Sequence, residues 1–193
     1  MLDKETETDE KLVQRKAQKF NLWLGMIGMF MMFAAWSSGF IVYSASGVDK
    51  GIKTLLPDTF IYSTITILVS SLTMFLAHRA AKKGDSSKQK LFLFVTFALG
   101  IAFFALQVHA WSVLTDRGVF FVNNNASQSF IYAFTGLHLA HIIAGLIVLI
   151  IAIIGASKLS KDGNLFRMDL ASIFWHFLDL LWIYIYVFLL LNQ

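Results

Sequence analysis

Two short stretches set ionisable side chains inside strongly apolar sequence. His176 and Asp179 stand in Phe174-Trp175-His176-Phe177-Leu178-Asp179-Leu180-Leu181-Trp182. They are three residues apart and therefore share one face of a helix. His138 and His141 have the same spacing in Phe134-Thr135-Gly136-Leu137-His138-Leu139-Ala140-His141. A third place is Leu106-Gln107-Val108-His109-Ala110-Trp111, near the end of another apolar run. An imidazole beside a carboxylate can hold or pass a proton, and paired imidazoles can take a metal or a b-type haem. Each grouping also has a plain structural use, as a buried polar pair that fixes how a helix packs. The chain contains no cysteine. That excludes thiolate metal sites, covalent c-type haem attachment, copper centres built on paired cysteines, and disulfides.

The elements that carry these residues must cross a membrane. Of the 193 residues, 57% are hydrophobic and 15% aromatic, and the mean hydropathy is +0.66, too apolar for an ordinary soluble domain. Apolar runs predict an all-α bundle of five transmembrane helices at about 21–44, 58–77, 90–114, 127–157 and 169–191, each near the roughly 20 residues that span a bilayer. Residues 1–20 mix Glu5, Glu7 and Glu10 with Lys and Arg, and read as a charged, partly helical tail ahead of a membrane domain at 21–193. This is not the pattern of a cleaved signal sequence. The tail holds five Lys and Arg, the 79–90 connection five and the 158–167 connection three, against two in 50–53 and Arg117 on the other side. The positive-inside rule then predicts a cytoplasmic N-terminus and, after five crossings, an outside C-terminus. Basic residues placed this way point to membrane topology and not to nucleic acid.

An aspartate at the centre of a membrane helix costs roughly 2.5–3.5 kcal/mol on insertion scales, so Asp179 needs partners inside the bundle. Heights counted at about 1.5 Å per residue put His109 in one layer with His138 and His141, with Asp179 near the midplane and His176 below it. Ser63, Thr64, Thr66, Ser70, Ser71 and Thr73 on the second span are expected to bond back to their own helix or to hold a neighbour. Gly136, Ala140 and Ala144, with Ala152 and Ala156 further along the same line, form a stripe of small residues on which another helix is expected to lie. The 19 Phe would cover lipid or a large partner.

The paired motifs on the last two spans resemble those of subunit III of haem–copper terminal oxidases. Leu106-Gln107 with Trp111, and Ala77-His78, extend the likeness over nearly all five helices. The resemblance implies a non-catalytic subunit packed beside catalytic subunit I, supporting assembly and steady proton uptake. It implies haem and copper in the partner and none in this chain, phospholipid held in the helical cleft, and a bacterial plasma membrane, with a larger respiratory assembly as a further setting. His138, His141, His176, Asp179 and Trp182 occupy the family's motif positions, and Asp169 stands where an acidic residue precedes the last motif. Two carboxylates common in relatives are absent: 21–46 contains no acid, and Ala110 precedes Trp111. From the residues alone, two other functions stand beside this one. One is a b-type haem anchor using His109 with His138 or His141. The other is a small proton-coupled transporter using Asp179, which would normally bring internal repeats and broken helices that this chain lacks.

Overall fold

The computed structural model describes residues 2–45, 55–122, 125–158 and 160–192. The predicted basic loop with Lys50 and Lys53 lies outside the described residues. The described residues form five helices: α1 (Leu2–Ala45), α2 (Thr59–Lys83), α3 (Ser86–Asp116), α4 (Ala126–Lys158) and α5 (Lys161–Leu191). All five are long and apolar enough to cross a membrane.

Every helix but α4 starts or ends several residues beyond its apolar run. The ladder of backbone bonds continues past the hydrocarbon, so polar residues add turns that hydropathy does not mark. The tail and first span form one uninterrupted helix of 44 residues. The expected charged hairpin at 77–85 contracts to Gly84-Asp85. Gly84 takes φ 78° as the left-handed cap of α2, and Asp85 N–H returns to Ala80 O at 3.1 Å. Asp85 then caps α3, its carboxylate accepting from Lys88 N–H at 3.1 Å. That backbone bond, with the Lys88 side chain behind it, holds the Asp85 carboxyl below the ordinary value.

Helices α2, α3, α4 and α5 close a ring in which each touches the next and α5 returns to α2; α1 lies outside it, against α4 and α5. Partners across the ring fix the register at one end. His78 Nε2 meets Asp169 Oδ1 at 2.6 Å, and Gln89 and Asn164 exchange amide bonds of 3.0 and 2.9 Å. Arg15 and Lys19 of α1 lie over the Phe166 ring. The basic segments predicted for one side of the membrane therefore gather at one end of the bundle.

Trp175 fills the middle of the ring, with glycine on two sides. A Cβ on Gly100 of α3 would sit 2.9 Å from the indole and 2.8 Å from Leu146, and one on Gly145 of α4 would sit 3.1 Å from the indole and 2.8 Å from Leu178. The tightest small-residue contact on α4 is thus at Gly145, off the expected stripe. Ala140 and Ala144 are exposed, Ala152 and Ala156 further along the line are buried, and a Cβ on Gly136 would lie 3.8 Å from Trp111. Steps of four residues turn about 40° around a helix of 3.6 residues per turn, which carries the stripe off any single neighbour.

Candidate functional site

Helix α2 brings the motif residues together. Its hydroxyls recur at seven residues, Ser63 with Ser70 and Thr64 with Ser71, which keeps each pair on one face. Trp175 Nε1–H donates to Ser70 Oγ at 3.1 Å and Trp182 Nε1–H to Thr64 Oγ1 at 3.0 Å. Ser71 Oγ lies 2.8 Å from His176 Nδ1. Toward α3, Gln107 Nε2–H donates to Ser63 Oγ at 2.8 Å, and Thr73 and Thr96 share a bond of 2.8 Å. Some of these hydroxyls also bond back to their own helix, as Ser63 and Thr64 do to Phe60 O. The sequence listed the hydroxyls without assigning their partners. The repeat of seven is the signal that points to them.

His138 is fully buried, edge-on to Phe103 at 5.8 Å and tilted against Trp182 at 5.2 Å between ring centroids. Neither of its ring nitrogens has a hydrogen-bond partner. The α4 motif therefore meets the α5 motif ring to ring. His141 is spent locally, its Nδ1 2.7 Å from Leu137 O, and its ring packs on Phe33 of α1 at 6.1 Å. His109 is exposed on α3 while His138 has no exposure, so the expected layer of three histidines is not assembled. Distance along a helix does not decide which side chains meet; azimuth does. Among the described residues no three of His, Asp and Glu are grouped to hold a metal ion.

His176 Nδ1 is 3.7 Å from Asp179 Oδ2. Both carboxylate oxygens of Asp179 are buried without a hydrogen bond. Asp169 sits apart from this cluster, with His78 at the basic end.

The site is thus a set of buried rings, hydroxyls and one carboxylate on four packed helices, the interior of a polytopic membrane protein whose polar side chains join helices. The sequence profile of cytochrome c oxidase subunit III matches residues 13–192, and the chain belongs to that family. It is similar to the cytochrome bo(3) ubiquinol oxidase subunit 3 of Pseudomonas aeruginosa, 31% identical over 171 residues that cover 86% of this chain and 81% of the relative. It is also similar to the cytochrome c oxidase subunit 3 of Bacillus subtilis, 29% identical over 183 residues, covering 92% and 87%. The cytochrome bo(3) ubiquinol oxidase subunit 3 of Buchnera aphidicola matches at 28% over 198 aligned positions, covering 100% and 94%. Membership makes the chain a multi-pass membrane protein and an accessory subunit of a haem–copper terminal oxidase, associated with other oxidase subunits.

Proposed function

We propose that this chain packs beside catalytic subunit I of the oxidase in a bacterial plasma membrane, supporting assembly and sustained proton uptake in that subunit. The N-terminus and the basic end of the bundle face the cytoplasm and the C-terminus faces outward, as the distribution of Lys and Arg requires. The observation that carries the reading is the junction of the two family motifs. His138 and Trp182 meet at 5.2 Å as neighbouring rings in a packed interior, so the motif residues serve the shape of the bundle, and the redox chemistry belongs to the partner. The test is extraction in mild detergent with a tag on this chain. The catalytic subunit and its Soret band are expected in the same fraction. A chain recovered alone, or a Soret band that stays with the single chain and is lost on replacing His138 or His141, would overturn the reading.

The same subunit holds phospholipid. A groove of about 510 Å³ between α1, α4 and α5 is lined by Gly25, Met29, Ala144, Val148 and Phe174, with Arg167, Gln18 and Asn21 at its basic end. An apolar trough that ends in a guanidinium and two carboxamides fits an acyl chain with a phosphate at its head. Arg167→Gln should lower the phospholipid phosphorus retained per chain after delipidating washes, and an unchanged content would count against the groove.

A further inference from the structure

We propose that the α2–α5 face centred on His176 is the docking site for a transmembrane helix of another oxidase subunit, one that presents a hydrogen-bond donor at mid-membrane depth. This rests on the reading of the chain as an assembled oxidase subunit.

His176 lies halfway along α5, which runs Lys161–Leu191. At about 1.5 Å per residue it is roughly 10 Å from the start of the apolar run at 169 and roughly 22 Å from the end of the helix, inside the hydrocarbon. Its side chain is 37% exposed there, and the Asp179 side chain behind it is 5% exposed. Its Nδ1 lies 2.8 Å from Ser71 Oγ. At 3.7 Å it leaves Asp179 Oδ2 beyond hydrogen-bond reach, and both carboxylate oxygens have no donor. Lipid tails donate nothing, and ionisable groups in membrane helices face a protein interior or a wet cavity. A lipid headgroup does not reach this depth. The rim is apolar, formed by exposed Leu68, Leu72 and Phe75 of α2 and Leu180 of α5. A partly exposed imidazole backed by a buried carboxylate, within an aliphatic rim, matches a helix that brings a hydroxyl, carboxamide or cationic side chain to the imidazole's outer edge.

The chain has no cysteine, so single cysteines can carry a photoactivated benzophenone in membranes that contain the whole oxidase. Leu72→Cys and Leu180→Cys test the face, and Phe94→Cys, exposed on α3, is the reference. The first two should cross-link to one transmembrane segment of another subunit that carries a donor side chain, and Phe94→Cys should not reach that segment. Cross-links to lipid alone, to a second copy of this chain, or to a segment without a donor would overturn the proposal. His176→Leu should reduce the other subunits recovered with the tagged chain by at least about three-fold, the scale of one interhelical hydrogen bond in a membrane. Unchanged recovery would also overturn it. A parent chain that retains no other subunit defeats the wider reading; a parent chain that retains them while both cysteines touch only lipid defeats this proposal alone.

Discussion

Replacing Gly100 with alanine should weaken the bundle, although the same change in a helix with free space usually strengthens it. The new Cβ would fall 2.8 Å from Leu146 Cδ2 and 2.9 Å from the Trp175 indole. Leu146 can rotate away. The indole is rigid and tied through Nε1–H to Ser70 Oγ at 3.1 Å, so making room strains the ring or stretches that bond. Overpacking of this kind costs about 1–3 kcal/mol, and the gain in helix propensity from Gly to Ala offsets up to about 1 kcal/mol. The expected net loss is about 1 kcal/mol. Gly28, with nothing within 4 Å of its added Cβ, is the control, and Gly28→Ala should be neutral or stabilising. Unfolding in detergent, followed by helical circular dichroism, measures the difference. Trp175→Phe removes the indole atoms that meet the new methyl, so Gly100→Ala should cost less in that background, with a coupling of about 0.5–2 kcal/mol. A Gly100→Ala chain as stable as the parent, or a cost unchanged by Trp175→Phe, would refute the wedge.

Ser63→Ala strands the buried Gln107 carboxamide, whose Nε2 has its bond there and whose Oε1 is already unpaired. It should cost about 1–3 kcal/mol. Adding Gln107→Leu should recover most of that loss, and equal stability of Ser63→Ala and parent would contradict the assignment. At the α2–α3 link, the folded Asp85 carboxyl titrates below its unfolded value. Its contribution is complete above the ordinary carboxylate range and disappears as pH falls through the lower folded value. The stability difference between parent and Asp85→Ala should therefore shrink between about pH 5 and pH 3. A difference that stays constant over that interval would show that the charge does not matter.

The five crossings and both motifs were readable because apolar runs and residue types report directly on burial in lipid. Where the helices stop was not, since the turns from Ala77 to Lys83 and from Lys161 to Met168 are polar and still helical. The facing of residues was the harder matter. His109 and His138 were placed at one height from their distance along each helix, yet one is exposed and the other enclosed. Ala140 and Ala144 looked like a contact surface by size alone, while the indole of Trp175 had selected Gly100 and Gly145. Such matches depend on the rotation of two helices about their own axes, and a single sequence carries that information only weakly. The α2 hydroxyls came nearest: they were expected to bond back or to hold a neighbouring helix, and they do both, but nothing in their types named the tryptophans that donate to them.

Helix α1 touches α4 and α5 and makes no contact with α2 or α3 among the described residues. Synthesis runs from N- to C-terminus, so α1 leaves the ribosome before α2, α3 and both of the helices it packs against. Until α4 and α5 follow, α1 stands in the bilayer without its native seat, open to whatever insertion factor or companion protein reaches it first.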